Sequence, residues 1–423
     1  MSLNQAEAPL MPAPPAAATA QRLMSLDALR GFDMFWIIGA NSLVYALHRM
    51  TEAGGHTGVV SSVSNFLAYE LEHAEWAGFH FYDLIFPLFV FMAGISVGFS
   101  LRKTNRQQGR AAAVKRVFRR SILLFLLALF YSGGFTNPWP DLRLMGVLNR
   151  IALCYFFAGL IFCFCNLRSM IALAAGLLIG YWALMTFVPI RNIQLHKKEL
   201  AELALQRGAP MDAKALFDGT TERVTGRYEP GLNLANHIDF QYLPGHLYDT
   251  YYDPEGILST LPAIVTCLLG VFTGLLLLNA SFNDPQKVVY LLAGGLALAA
   301  LGWAWSAQFP VVKKIWTSSY VLVAGGYSAC LLAAFYWIVD VAQCRRWCQP
   351  FVWMGTNSIT IYMTANILGG FSGISKRLAG GDIQAYLNAH LAGSGDLALA
   401  VMGLLLAFWF VHFLHRRKIF LRL

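Results

Sequence analysis

Two residues ten positions apart, His73 and Asp83, open an apolar run in LEHAEWAGFHFYDLIFPLFVFMAG, and their types suit proton transfer. An imidazole titrates near ~6.5, so a histidine at a membrane mouth can take a proton from an incoming amine or hydroxyl nucleophile. Asp83 falls about one turn inside the apolar run, where a carboxylate must be protonated or find a partner. His73 and Arg150 are the candidates for that partner. The blander reading of His73 is an interfacial histidine satisfied by water. His80 serves as a contrast, because it lacks the surrounding pattern.

Ionisable groups in apolar runs cost several kcal/mol unless they face a polar cavity or a partner. The remaining set is short: Asp27, Arg30 and Asp33 in the first run, Arg150 in GVLNRIALCYF, Asp253 and Glu255 in DPEGILSTLPAIVTCLLG, and Asp340. Arg150 lies too deep for its five donors all to reach water, so it either pairs internally or meets a phosphate. Asp253 and Glu255 are candidates for substrate contact, although acidic residues opening a helix are also explained by its dipole. Trp76 is a further substrate-contact candidate and an interfacial aromatic. In GTNSITIYM, Asn357 and Ser358 either contact substrate or join neighbouring helices by hydrogen bonds.

The elements that must position these residues are membrane helices. The chain has 423 residues, of which 57% are hydrophobic and 13% charged, too apolar for a water-soluble fold. A span uses about 20 residues, so an all-α, polytopic bundle of about ten spans, ten or eleven, is expected. Apolar runs place them near 29–48, 80–101, 118–134, 145–165, 169–189, 256–279, 287–308, 317–341, 351–371 and 395–414. The loop after the second run carries Arg102, Lys103, Arg106, Arg110, Lys115, Arg116, Arg119 and Arg120, which makes it cytoplasmic by the positive-inside rule. Alternation then puts both termini inside, with Arg416, Arg417, Lys418 and Arg422, and puts residues 49–79 and a long extracytoplasmic loop, 190–254, outside. That loop reads equally as a small cap or a solvated connector.

Residues 1–20 are Ala/Pro-rich and read as a disordered lead before one transmembrane domain, 21–423; the first run is a retained span rather than a signal peptide. The net charge of +9 reflects helix ends rather than an aromatic-interleaved surface, so nucleic acid is not an expected partner. Five of the seven cysteines lie in apolar runs, and Cys344 and Cys348 have no histidine cluster beside them, so neither disulfides nor a metal is expected. The basic stretch around Arg119 and Arg120 suits either anionic lipid or the phosphates of a nucleotide-bearing donor.

Taken in order, these segments resemble the heparan-alpha-glucosaminide N-acetyltransferase family and its bacterial relatives over most of the chain. RLMSLDALRGFDMFWIIGAN resembles the family's first span, with its R-x-x-S-x-D-x-x-R-G pattern and closing asparagine, here Asn41. HAEWAGFHFYDLIFPLFVFMAG is similar to its histidine motif, and GVLNRIALCYF, DPEGILSTLPAIVTCLLGVFTG, KKIWTSSYVLVAGGYSA and MGTNSITIYM to its later segments. The stretch from Asn41 to His73 is longer than the family's connector, and Ala77 stands where the motif often has asparagine. The resemblance implies a multi-pass acyltransferase of a bacterial inner membrane that moves acetyl from cytosolic acetyl-CoA to an amino sugar or related glycan on the far side. It makes His73 the active-site histidine and Asn41 a functional asparagine. Without the large N-terminal lumenal domain of the animal members, an acceptor other than heparan sulfate is expected.

The expected chemistry is then N- or O-acetyl transfer with His73 as base or transient acetyl carrier, Asp83 or Asp253 orienting it, and Asn41 or Asn357 donating to the oxyanion. Arg150, Arg119 and Arg120 are the candidates for CoA phosphates. Membrane lipid is the other expected partner, and a homo-oligomer is compatible with the pattern. The rival is a transporter or flippase of a polar small molecule or glycan precursor, with Arg150, Asp83 and Asn357 lining a pathway. No fixed repeat or inverted repeat supports it.

Overall fold

The computed structural model describes residues 23–53, 58–136, 138–208, 210–367 and 369–421. The expected lead, 1–20, and Arg422 lie outside the described residues. The chain is mostly helical, and among the described residues seven helices are long and apolar enough to cross a membrane: Phe81–Tyr131, Val147–Phe164, Leu167–Phe187, Thr260–Leu277, Asp284–Trp305, Ser318–Val341 and Ser394–Arg416. The apolar runs pointed to about ten, and the difference arises where backbone breaks divide or join those runs.

α1 (Met24–Phe35) passes through a π segment, Trp36–Ala40, into α2 (Asn41–Ala53), with Gly39 outside the helical region at φ 144°. α3 (Val59–Glu70) follows. α4 (Ile85–Tyr131) merges two expected runs and the basic loop between them. As one straight rod its 47 residues would measure ~70 Å. It is broken at Gly109, φ 84° and ψ 172°, and Arg116 Nη1 donates to Thr104 Oγ1 at 3.3 Å across the break. Twelve residues of straight helix would separate that pair by ~18 Å. The chain therefore turns back at Gly109, and Arg102 to Arg120, expected in a loop, are helical.

α5 (Val147–Phe164) and α6 (Leu167–Phe187) come next. Between α6 and α10, residues 188–259 fold around a small core of Leu195, Leu200, Leu216 and Phe217. They supply α7 (Lys197–Arg207), α8 (Ala213–Asp218) and α9 (Leu234–Tyr242). They also add the sheet that an all-α reading omitted, β1 (Ile190–Arg191) antiparallel to β2 (Arg223–Val224), with Ile190 opposite Val224. α10 (Thr260–Leu277), α11 (Asp284–Trp305) and α12 (Ser318–Phe335) complete the central group. The expected run 351–371 is interrupted at Asn357 into α13 (Gln349–Thr356) and α14 (Ser358–Ile367). α15 (Phe371–His390) and α16 (Ser394–Arg416) close the chain.

Small residues set the closest crossings, as expected where lipid removes the hydrophobic drive between helices. On α4, a Cβ at Gly94 would sit 1.9 Å from the Cys267 carbonyl oxygen; on α10, one at Gly270 would sit 1.9 Å from that of Phe91. The α1–α13 crossing repeats this with Gly31 against Phe351 and Gly355 against Asp27. These contacts hold α4 against α10 and α1 against α13, and so carry Asp83 and Asn41 to one end of the bundle. At that end Ala77 bridges Val312, Gly78 N donates to Val311 O at 2.9 Å, and Arg143 bridges Gly245.

Candidate active site around His73

Asp83 sits in a short 3₁₀ turn, Phe81–Leu84, at the head of α4, and is 1% exposed. Its Oδ2 accepts from the backbone N–H of Ala74 at 3.1 Å and of His80 at 3.2 Å. A single carboxylate oxygen thus gathers the 74–80 loop into an arc. Gly78, at φ 130° in the left-handed region, allows that arc to pass along Val311. The arc returns His73 to Asp83, and His73 Nδ1 lies 2.8 Å from Asp83 Oδ1. Tyr320 Oη fixes the turn from α12 by donating to the Asp83 carbonyl at 2.8 Å.

A third group completes this arrangement. Lys313 Nζ lies 3.2 Å from Asp83 Oδ1 and 3.0 Å from His73 Nδ1. A carboxylate oxygen only accepts and an ammonium only donates, so with Lys313 Nζ directed to Asp83 Oδ1 the shorter 2.8 Å contact selects the tautomer in which His73 donates Nδ1–H to Asp83 and leaves the Nε2 lone pair free. The opposite tautomer would set the Nδ1 lone pair against the carboxylate. Burial pulls the Lys313 ammonium below the usual lysine value, while Asp83 works in the other direction. His73 itself is open, with 54% of its side chain exposed against 2% for Asp83. The carboxylate is sheltered and the imidazole faces outward. An incoming proton donor can reach Nε2 without disturbing the pair.

Asn41 is brought to the same place through Tyr82. Its Nδ2 is 3.4 Å from Tyr82 Oη, and the Tyr82 ring packs on His73 with centroids 4.9 Å apart. Of the two partners considered for Asp83, His73 takes the position and Arg150 does not.

The other expected site residues have different neighbours. Trp76 Nε1 donates to the Tyr228 carbonyl at 2.7 Å, tying the histidine loop to residues 188–259. Asp253 and Glu255 precede the first turn of α10, which begins at Thr260, so helix capping does not account for them. Both instead receive Arg143: Nε and Nη2 donate to Asp253 at 3.1 and 3.0 Å, and Nη2 to Glu255 at 2.9 Å. Burial opposes the Arg143 charge, but the two carboxylates outweigh it and raise its proton affinity. Burial also pushes Glu255 above the usual carboxylate range, with Arg150 and Arg143 pulling it back.

Arg150 is fully buried, with its guanidinium 5.0 Å from the Trp316 ring centroid and its Nη2 donating to Gly256 O and Ser259 Oγ. Its Nε and Nη1 have no hydrogen-bond partner among the described residues. Arg120 stacks over Tyr155 at 4.7 Å, and its Nε and the Tyr155 hydroxyl are likewise unpartnered there. Arg119 is exposed on the same helix. Asn357 is buried; its Nδ2 lies 3.5 Å from Trp353 O and from Thr356 Oγ1, and its Oδ1 has no hydrogen-bond partner among the described residues. Ser358 is buried beside it. Among the described residues, no hydrogen bond joins Arg150, Arg119, Arg120, Asn357 or Ser358 to the His73 group. No cluster that could hold a metal ion occurs among the described residues.

Sequence reasoning passed over Lys313 and Arg143. Lys313 does belong to the KKIWTSSYVLVAGGYSA segment, and that was the available signal.

No protein-family model matches the chain. Two heparan-alpha-glucosaminide N-acetyltransferases do, each 25% identical: that of Mus musculus over 350 residues and that of Homo sapiens over 444. The chain is a distant relative of these enzymes. The human match covers 96% of the chain and the mouse match 73%. The chain spans 51% of the mouse and 60% of the human relative's own length. The apolar helices and these relatives together make it a membrane protein.

Proposed function

We propose that the protein is a transmembrane acetyltransferase that takes acetyl from acetyl-CoA and passes it to an amino sugar or related glycan at the His73 end of the bundle. The observation that carries this reading is the hydrogen bond from an exposed imidazole to a sheltered carboxylate, His73 Nδ1 to Asp83 Oδ1 at 2.8 Å. It is the arrangement a general base needs, with one ring nitrogen held and the other free. Both relatives carry the name of a transferase, so the transporter reading is set aside.

In the proposed reaction, His73 Nε2 removes a proton from the acceptor nitrogen as that nitrogen bonds to the acetyl carbonyl carbon. The carbon–sulfur bond then breaks, and the proton passes from the imidazolium to the departing thiolate. Asp83 holds the imidazole and balances its positive charge while it carries the proton. Asn41 and Tyr82 supply donors beside the ring, suited to a developing oxyanion.

Acetyl-CoA enters as co-substrate. The unpartnered donors of Arg120, Arg150 and Tyr155 fit an oxygen-rich ligand, since buried donors without partners cost ~1–3 kcal/mol each. Arg119 would add charge for its phosphates. We further propose about ten crossings, counting the two arms of α4 separately and adding the interrupted helices 24–53 and 349–367. In this topology, the basic turn around Gly109 faces the cytoplasm of a bacterial inner membrane and His73 faces out.

The test is a screen of amino sugars with labelled acetyl-CoA, using purified protein in vesicles and comparing wild type with His73→Ala. Label transfer that the substitution abolishes is expected. Transfer unchanged in His73→Ala would remove the central claim.

A further inference from the structure

α3 has its polarity reversed relative to a helix packed in water. Val59, Val60, Val63, Phe66 and Leu67 share one face, at 45–79% exposure, whereas Ala68 is buried on the other. The inward face also carries Ser64, which meets His48 Nδ1 at 3.3 Å and Thr51 Oγ1 at 3.0 Å on α2. A face of this composition standing in water would be an aggregation liability.

The contacts of its packing partner α2 and of its own last residue, Glu70, set the depth of α3. α2 packs on both α3 and α16. Arg49 on α2 pairs with Asp396 at 3.0 Å, and Met50 lies against Gly393, so α2, on which α3 packs through Ser64, meets the first residues of the α16 span. Glu70 Oε2 accepts from Phe81 N at 2.9 Å, at the first residue of the Phe81–Tyr131 span. The starts of two spans on one side of the bundle mark one membrane boundary, and α3 runs between them. α16 carries its own exposed apolar row, Val401, Leu405 and Trp409.

We propose that α3 lies along the headgroup–acyl boundary of the leaflet on the His73 side, with its valine, phenylalanine and leucine face in the acyl chains. An amphipathic helix with this geometry binds by buried apolar area, and cationic ones add attraction to anionic lipid. α3 holds no Lys or Arg, and its one acidic residue, Glu70, is used on Phe81. The occupant is therefore the apolar part of the bilayer irrespective of headgroup charge. His73 follows three residues after α3, so its mouth opens at headgroup depth. This placement does not depend on the chemistry assigned to His73.

The test uses the full chain in nanodiscs, with the exposed Cys344 changed to serine and a spin label at Val63→Cys or, about 200° round the helix, at Asn65→Cys. Collision rates with oxygen, which concentrates in acyl chains, are compared with those of a water-soluble nickel chelate. The oxygen-to-nickel ratio is expected to be several-fold higher at position 63 than at 65, in neutral and anionic lipid alike. Equal, water-like ratios at both positions would overturn the proposal. So would suppressed collisions with both reagents at 63 together with dipolar broadening between labels, which would put a second copy on that face. Val60→Cys, on the same face, repeats the measurement if the Val63 variant melts below the Cys344→Ser parent.

Discussion

Replacing Asp83 by asparagine separates the charge of this residue from its shape. The carboxylate now serves four donors: Ala74 and His80 N–H on Oδ2, and His73 Nδ1 and Lys313 Nζ on Oδ1. Asparagine offers one oxygen. If that oxygen keeps the two backbone donors and the arc, its NH₂ faces His73 Nδ1. The imidazole must then accept at Nδ1 and carry its proton on Nε2, which is the wrong nitrogen for a base. Loss of a general base is worth ~10²–10⁴ in rate, or ~2.7–5.4 kcal/mol at ~1.36 kcal/mol per decade. The expected result for Asp83→Asn is a fall of that size in kcat for labelled acetyl transfer, with the melting temperature lowered but the protein still folded. Lys313→Met leaves the His73–Asp83 bond in place and should cost less. The double variant should fall short of the sum of the two effects, because all three groups share Asp83 Oδ1. A wild-type kcat in Asp83→Asn, in a preparation where His73→Ala is inactive, would refute the orienting role of the carboxylate.

Three further outcomes are expected. Arg143→Ala leaves Asp253, whose side chain is fully buried, and Glu255 without their cation, and breaking such a pair costs ~3–5 kcal/mol; thermal unfolding in detergent should show a clear drop, and an unchanged midpoint would contradict the pairing. Gly94→Ala forces α4 away from the Cys267 carbonyl at a cost of ~1–3 kcal/mol, whereas Gly176→Ala, with nothing within 4 Å, should cost nothing; the two melting curves would coincide if the close crossing were absent. Burial raises Asp239 to about 7, although Ile257 N–H and Arg150 oppose it. A carboxyl group whose folded value is raised binds more protons folded than unfolded, so its contribution is fully present only below the unfolded value of ~3.9 and is lost progressively as pH rises from there to about 7. Asp239→Asn should therefore raise the melting temperature at pH ~8 relative to wild type and leave it little changed near pH ~3.5, below the unfolded value; equal shifts at both values would exclude titration as the cause.

The sequence alone determined what depends on local composition and short spacing. Long apolar runs specify membrane helices because no other local structure satisfies the backbone in lipid. His73 could be named in advance as one of two candidate partners for Asp83, because ten residues containing a glycine can close on one carboxylate. The ordered segments were enough to identify the distant relationship. Backbone breaks were less legible: Gly39 and Asn357 interrupt helices without interrupting hydrophobicity, whereas around Gly109 helix continues through the polar stretch that separates two runs, so runs were counted rather than helices.

Only the tertiary structure decided which distant charges meet. Lys313 reaches Asp83 across 230 positions, and Arg143 reaches Asp253 across 110. Neither pairing leaves a local pattern, because each depends on how the bundle brings loop ends together. The same holds for Arg150: its sequence showed that it needed partners, but only packing put Trp316, Gly256 and Ser259 around it and reserved Asp83 for His73. The polarity of α3 was also invisible, since a helix with one apolar face reads alike whether that face points inward or outward. Its direction was decided by Ser64 meeting His48 and Thr51, contacts made only once α2 and α3 pack together.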